Sequence, residues 1–547
     1  MGKTPKISPT WVVSESIERL YRRTLDSYGR SLDWALVHRK LMLLLFGLTV
    51  IFTIFLYIEV PKSFMPQEDT GLISGQTIAA PNISFHRMEK LQDTVTKIIM
   101  EDPNVDTIST RVGVANGFSS ANRGQMFIGL KPRSERKLSA QQVIMELAHK
   151  LANIPGINTY LQVVQDLHIG GQNNAGQYSF SILDPSLAGL DTITSAIEQR
   201  LRQLQTINNV SSDQNKAETQ ITAKIDRSSA ARLGVTVAAV DAALENAFAQ
   251  RQISRIYKSQ NQYAVVMKAP SALQRSPVDL DRVFVPGTHG PVPLRALITI
   301  ERTTAPLTVT HLDGIPASTI SFNVGPGSTL GPALASVKAA IAAMPIPAGV
   351  RVKFGGNAEY FLRSLRSEPL LILASLFAIY VVLGVLYESL AQPLTILSTL
   401  PSAGVGALLA LLVTGIPLSV IGVIGIFLLM GIVKKNGIML VDFALTAERD
   451  RGLTPHEAIR AASLERFRPI MMTSLAALLG ALPLALAFGT GYQLRRPLGV
   501  AVIGGLIVCQ ALTLYTTPVI YLALTGFGKR HARRIAAMPD TGQIPAE

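Results

Sequence analysis

A chain of 547 residues that is 48% hydrophobic, with a mean hydropathy of +0.31, is too apolar for one soluble domain, yet residues 82–369 are too polar for a protein lying wholly within a membrane. The net charge of +14 (51 basic against 37 acidic residues) comes largely from Lys and Arg flanking apolar runs, which points to membrane topology and away from nucleic acid as a partner. A single cysteine, Cys509, excludes an intrachain disulfide and a cysteine-based metal site, and the eight histidines lack metal-ligand spacing, so no metal or other cofactor is expected.

From Ser14 to Val37, the residues Ile17, Leu20, Tyr21, Leu25, Tyr28, Leu32 and Leu36 recur at helical spacing, with Arg19, Arg22, Arg23 and Arg30 largely on other faces. The pattern fits an amphipathic helix on a membrane surface, with a solvated linker helix as the plainer alternative. Residues 41–60 have the roughly 20 apolar residues that a span requires. They start too far behind a basic leader for a cleaved signal peptide and read as an uncleaved anchor.

Residues 69–357 form the polar block. Strands are expected at 73–80, 105–114, 125–131 and 157–164, with a helix over 84–99 that places Phe85, Met88, Leu91, Val95 and Ile98 on one face. A second helix starts at Ser139, where Ser139 and Gln142 make a capping box and Leu138 and Val143 a hydrophobic staple. The order β-α-β-β-α-β suggests a ferredoxin-like split βαβ unit. It recurs as a strand at 178–183, a helix over 186–204 and strands at 208–213 and 220–225. After an excursion from Asp226 to about Val309 the unit resumes with a strand at 317–324, a Gly325-Pro326-Gly327 turn, a helix over 330–343 and a strand at 350–354. Two similar αβ units are expected, the second interrupted by an inserted subdomain.

Five more apolar runs follow, at 370–387, 394–414, 418–445, 469–488 and 498–524. Basic residues cluster in the leader (Arg19 to Lys40), after the fourth span (Arg449, Arg451, Arg460, Arg466, Arg468) and in the tail (Lys529, Arg530, Arg533, Arg534). With six spans, all three segments and both termini are expected on the cytoplasmic side and residues 61–369 outside; Arg495 and Arg496 run against the rule. Gly404 and Gly406 in the third span, and Gly499, Gly504 and Gly505 in the sixth, favour close helix packing.

The fourth run carries Lys434, Lys435 and Asn436 inside it. A charge at membrane depth costs roughly 2.5–3.5 kcal/mol on insertion scales, so it is expected to face a bundle interior and pair with a carboxylate. No span here has a carboxylate in its middle. Asp442 shares a helix face with Lys435 but lies about 10 Å along the axis. Lys435 is about 15 Å from the end of the run, a long reach for snorkelling to the headgroups. Lys434 is about 100° round the helix, so the two lysines point differently. Thr473, in the fifth span, taken alone reads as a hydroxyl bonded to its own helix, and Arg466 reads equally well as a positive-inside anchor. There is no Walker A pattern and no catalytic triad or carboxylate pair at readable spacing, so no enzyme is expected.

The segment Gly431-Ile-Val-Lys-Lys-Asn-Gly-Ile-Met-Leu-Val-Asp-Phe-Ala444, followed by Arg466-Phe-Arg-Pro-Ile-Met-Met-Thr-Ser474, resembles the C-terminal half of a resistance-nodulation-division (RND) exporter of the hydrophobe/amphiphile efflux branch. Residues 380–388, 393–411, 61–71 and 319–325 carry the same likeness, which runs from about Tyr21 to Leu524. The resemblance implies an α+β membrane protein with six transmembrane helices and a large periplasmic region of two ferredoxin-like βαββαβ porter subdomains and an inserted docking subdomain. Its parts would be a leader (1–40), the first span (41–60), one porter subdomain (61–172), a second (173–223 and 311–360), the docking insertion (224–310), five spans (361–524) and a cytoplasmic tail (525–547). Lys435, Arg466 and Thr473 would match a proton relay. Phe118, in the loop 113–124, would match a phenylalanine lining the drug pocket, and an ordinary exposed loop aromatic fits it equally well.

The family's N-terminal half normally carries two membrane aspartates that exchange the proton while the residue matching Lys435 pairs with them. The chain is therefore expected to be inactive without such a complementary half, whether it is a split-gene product, the tail of a disrupted gene or a shortened protein. The implied assembly is a trimer joined to a periplasmic adaptor and an outer-membrane channel in the bacterial inner membrane, exporting small amphiphiles by proton antiport with the proton gradient as its energy source. The alternatives are a permease subunit of an ATP-driven exporter, which predicts four spans and no deep lysine, and a non-transporting truncated product, which predicts broken spans.

Overall fold

The computed structural model describes residues 9–536 apart from 116–117, 167–174, 215–217, 271–272, 275, 306–308, 487–488 and 490. Helix α1 (Pro9–Val37) gives way at His38 to α2 (Arg39–Glu59). The first αβ unit opens with β1 (Leu72–Ala79), whose residues alternate between buried and half-exposed as a one-faced strand requires. Helix α3 (Phe85–Met100) starts where the Ser84 hydroxyl accepts the Arg87 amide at 3.3 Å. Strands β2 (Val105–Ala115) and β3 (Phe118–Leu130) follow. Helix α4 (Ala140–Leu151) has the expected capping box: the Gln142 amide donates to Ser139 Oγ at 3.3 Å and the Ser139 amide to Gln142 Oε1 at 2.8 Å. With β4 (Ile157–Val163) the sheet is antiparallel in the order β2-β3-β1-β4, and Met88, Val95, Val143 and Leu147 of the helices pack with Met126 and Ile128 of the sheet.

The second unit begins with β5 (Tyr178–Leu183), α5 (Leu187–Leu201) and β6 (Ile207–Ser212). An insertion then runs through β7 (Glu218–Ile225), α6 (Arg227–Arg232), α7 (Val237–Phe248), the hairpin β8 (Arg251–Tyr257) and β9 (Gln262–Met267), the hairpin β10 (Phe284–Gly287) and β11 (Gly290–Pro293), and β12 (Ile298–Ala305). The unit is completed by β13 (Thr310–Leu312), β14 (Ile315–Val324), α8 (Leu330–Ala342) and β15 (Arg351–Gly355). Its sheet places β14 between β5 and β6, with β15 on the far side of β5, so β6-β14-β5-β15 repeats the order of the first sheet. Strand β7 differs from the expectation that it belongs to this unit. Every inner place of the sheet is taken, and β7 instead pairs along its length with β12, from Glu218↔Ala305 to Ile298↔Ile225, as a two-stranded neck. Beyond the neck the insertion has its own small core of Val235, Val240, Val285, Leu294 and Leu297.

Helix α9 (Gly356–Tyr387) starts directly where β15 ends, so the second αβ unit and a membrane-length helix form one continuous element. It is followed by α10 (Ala391–Leu397) and α11 (Leu400–Val413), then α12 (Val420–Asp450), α13 (Pro455–Leu486) and α14 (Tyr492–Ala536). Counting α10 and α11 together, six helices among the described residues are long and apolar enough to cross a membrane. Helix α14 is the hub, touching α2, α10, α11, α12 and α13. It approaches α11 so closely that a Cβ on Gly406 would run into the Gly504 carbonyl oxygen. By contrast α2 and α9 expose Leu44, Ile51, Leu370, Leu373 and Val385.

The C-terminal part of the apolar stripe of α1 packs on the membrane helices, so that part is not a solvated helix. Tyr28, Leu32, Ala35 and Leu36 are buried with Ile459, Phe467 and Val519. The Tyr28 hydroxyl donates to the Leu514 carbonyl at 3.0 Å, and Arg460 donates to both Asp33 oxygens at 2.6 and 2.9 Å.

Candidate functional site

Lys435 sits at the midpoint of α12, fifteen residues from Val420 and fifteen from Asp450. The helix buries the stripe Gly425, Leu429, Val433, Gly437, Leu440 and Val441 against the bundle. Lys435 is exposed, while Lys434 and Asn436, turned about 100° to either side, are half-buried. Lys435 and Asn436 of α12, with Thr473 and Ser474 of α13, line a half-open cleft of about 360 Å³ whose other walls are Leu428, Gly431, Ile432 and Ala477.

Three polar side chains tie the helices together beside this cleft. Ser474 Oγ donates to Gln510 Oε1 of α14 at 2.7 Å. Asn436 Nδ2 donates to Ser474 Oγ at 3.1 Å and reaches Gln510 Oε1 at 3.5 Å. Gln510 Nε2 rests on Met471 Sδ at 3.4 Å. Sequence reasoning missed Gln510 and Ser474. The available signal was a primary amide in the middle of the apolar run 498–524, where it needs partners from other helices. The Thr473 hydroxyl donates to the Ile470 carbonyl of its own helix at 3.2 Å, the local bond expected of it taken alone.

Arg466 is not in the cleft. It lies seven residues before Thr473 on α13, about 10 Å along the axis, with its guanidinium 4.6 Å from the centre of the Phe443 ring. Its Nε is buried and has no hydrogen-bond partner. Among the described residues no carboxylate pairs with Lys434, Lys435 or Arg466. Asp442, seven residues beyond Lys435, is exposed. Phe118 is the first residue of β3, facing Ala115 in the register, and its side chain lies outside the described residues.

A larger cleft of about 650 Å³ opens between the two αβ units. Gln141, Met145 and Leu161 line it from the first unit, Tyr178, Asn208 and Asn323 from the second, and Ile416, Pro417 and Arg496 from the adjoining ends of the membrane helices. Elsewhere on the seam, Arg123 of β3 donates to the Asp213 carbonyl oxygen at 3.4 Å. The Asp213 carboxylate accepts the Thr319 amide at 2.8 Å and the Ser318 hydroxyl at 2.9 Å. Burial pushes that carboxyl above its ordinary value, and these bonds, with Arg123 nearby, only partly offset the rise.

The AcrB/AcrD/AcrF family matches residues 4–525. Multidrug resistance protein MdtC of Pectobacterium carotovorum subsp. carotovorum is 48% identical over 510 residues, which make up 93% of this chain and 49% of that protein. MdtC of Klebsiella pneumoniae subsp. pneumoniae is 47% identical over 517 residues, 94% of this chain and 50% of the relative. MdtC of Escherichia coli O157:H7 is 47% identical over 511 residues, with 93% and 49% covered. The chain thus spans about half the length of the curated relatives it matches. A solved heavy metal efflux pump has the same fold at a TM-score of 0.82 and 24% identity, with 93% of this chain and 53% of that one covered. The match over nearly its whole length agrees with the membrane motifs around Lys435 and Thr473, and the chain belongs to the AcrB/AcrD/AcrF family of RND proteins.

Proposed function

We propose that this chain is the C-terminal half of a proton-driven multidrug exporter of the bacterial inner membrane and works only with a complementary N-terminal half. The observation that carries the reading is Lys435: mid-helix, exposed on the side of α12 away from the bundle core, and without a carboxylate among the described residues. An ammonium at that depth needs counter-ions, and the cleft around it opens outward. The membrane aspartates of an N-terminal half would fill that role. An ion pair at 4 Å is worth about 4 kcal/mol at an effective dielectric of 20, and protonating the carboxylate removes it. That change is of the same order as the roughly 2.3 kcal/mol per 100 mV carried by one charge crossing the membrane. Lys435 would therefore report the proton's arrival by changing position, with Thr473 on the opposite wall and Arg466 nearer the cytoplasmic side.

The αβ units, residues 61–172 and 173–214 with 310–360, would be porter subdomains, and the insertion from β7 to β12 a docking subdomain. The cleft between the units would take small amphiphiles from the periplasm. Because β15 passes into α9 without a break, tilting of that helix would be felt directly by the second unit, the rigid-body rocking expected of secondary transporters. Both termini would be cytoplasmic. The assembly would be a trimer with a periplasmic adaptor and an outer-membrane channel, and the proton gradient would stand in place of a cofactor.

The test is co-expression in a drug-hypersensitive strain. Resistance is expected from this chain together with an N-terminal half carrying the paired aspartates, and none from either alone. Export by this chain alone would remove the need for the second half. Undiminished proton-coupled export by Lys435→Ala in the pair would remove Lys435 from the relay.

A further inference from the structure

The cleft residues are aimed by their neighbours in sequence. Lys435 is followed by Asn436 and Thr473 by Ser474, so Lys435 and Thr473 each sit about 100° from a cleft-lining neighbour that is hydrogen-bonded to another helix. Both neighbours donate to the same atom, Gln510 Oε1, Ser474 at 2.7 Å and Asn436 at 3.5 Å. A carbonyl oxygen has two lone pairs, and this one uses both on donors from two different helices.

We propose that Gln510 is a positioning residue: its side-chain carbonyl fixes the rotation of α12 and α13 about their axes, so that Lys435 and Thr473 face one opening. The proposal rests on the reading of Lys435 as the coupling residue. Around the cleft the helix contacts are otherwise apolar, from Leu428, Gly431, Ile432 and Ala477. Apolar packing is non-directional and tolerates a small roll of one helix against another. Hydrogen bonds to a fixed oxygen do not tolerate it, because they weaken steeply as their angles open. Helix α14 is a suitable fixed point, since its glycines seat it against α11 with backbone in contact and leave it little freedom to follow.

The two bonds are unequal. The Ser474 bond is short and holds α13 to α14, while the Asn436 bond lies at the outer limit of hydrogen-bond distance. Asn436 keeps a second tie to Ser474 at 3.1 Å. When a counter-ion pulls on Lys435, α12 therefore yields first and α13 stays with the hub. Gln510 is what makes that yielding start from one defined position.

The experiment uses the assembled pump, this chain with its complementary half, in proteoliposomes under an imposed pH gradient. Protons moved per substrate exported and the dependence of transport on pH are read together. Gln510→Leu keeps the size and removes the acceptor. It is expected to lower substrate-coupled proton flux about tenfold, the upper range for an interhelical hydrogen bond in a membrane protein, and to shift the pH profile. Ser474→Ala deletes the short bond from its other end at small steric cost and is expected to shift the profile in the same direction. The double variant is expected to be no worse than Gln510→Leu. A purely structural role would lower the amount of assembled pump and leave the proton ratio and pH profile of the remainder unchanged. That result in either single variant overturns the proposal. Lys435→Ala is measured alongside: if it keeps coupled export, the relay reading itself fails. If it loses coupling while Gln510→Leu and Ser474→Ala keep the normal profile, only the role of Gln510 fails.

Discussion

The αβ block and the membrane bundle treat buried charge in opposite ways. In the first αβ unit the Arg136 guanidinium, 2% exposed, pairs with Asp69, 10% exposed. Asp102, with no exposed side-chain surface, accepts Lys150 at 2.8 Å and the Asn104 amide at 3.0 Å. In the bundle Lys435 is open on one side of α12 and Arg466 rests on an aromatic face with an unpartnered Nε. The αβ units close their electrostatics within one polypeptide. In the bundle, among the described residues, Lys435 and Arg466 have no carboxylate, and a second set of helices facing the Lys435 cleft would supply one.

The comparison breaks most readily at Arg136. Arg136→Ala leaves the Asp69 carboxylate buried without its cation, and losing one partner of a buried pair costs about 3–5 kcal/mol. Hydrogen exchange of the amides of β1 and β3 in the whole chain is the measurement, and unchanged protection would show that the pair is dispensable. The pair also has a pH signature. Burial raises the Asp69 carboxyl, but the hydrogen bonds from Arg136, the Ala140 amide and the Gly71 amide, with the Arg136 charge, together outweigh it, and the folded value lies below the ordinary one. A depressed carboxyl contributes stability above its unfolded pKa and loses it as pH falls through the folded value. Protection in this unit is therefore expected to decline on acidification into that range. In Arg136→Ala burial is left less opposed, and the acid-side loss is expected to shrink or reverse.

Next in size is the packing that holds the bundle. Gly406→Ala places a methyl against the Gly504 carbonyl oxygen, with Val508 Cβ at 2.8 Å and Gly505 Cα at 2.9 Å, so neither backbone nor branched side chain can turn away. Overpacking of this kind costs about 1–3 kcal/mol. A lowered thermal unfolding temperature in detergent is expected, and an unchanged one would mean that α11 and α14 separate freely. Smaller again is Ser139→Ala, which removes the α4 cap and is expected to cost about 1 kcal/mol in the first unit, read by the same hydrogen exchange.

These sites differ in how far the sequence disclosed them. The Ser139 and Gln142 box was readable because a capping box is local, needing only residues three apart. The strands of both sheets showed in their alternation, but their ends did not. Gly and Ser between Val112 and Gly124 suggested a loop, whereas β2 and β3 continue past a register shift as far as Ala115↔Phe118. Strand β7 looked like its neighbours, and only its long-range pairing with β12 assigns it to the neck. The depth of Lys435 was legible from the length of the apolar run. Its exposure was not, because periodicity tells which residues share a face and not what that face meets. Gln510 was missed, and its partners lie 36 and 74 residues away in sequence, beyond any local pattern.

The smallest effect expected separates the two regions most sharply. Lys435 is exposed and makes no ion pair among the described residues, so unfolding of Lys435→Ala in this chain by itself is expected to change by no more than about 0.5 kcal/mol. Alanine also favours the helix slightly, which works in the same neutral-to-stabilising direction. Once a complementary half places carboxylates opposite the cleft, the substitution strands buried anions and becomes costly, as Arg136→Ala already is within the αβ unit. Melting curves of the wild type and Lys435→Ala, each with and without the second half, make the measurement. A large destabilisation of the chain alone would mean that the lysine is already satisfied within this polypeptide, and the contrast between block and bundle would fall. A penalty that arises only in the pair locates the missing charge on the other half, since nothing else in the two experiments differs.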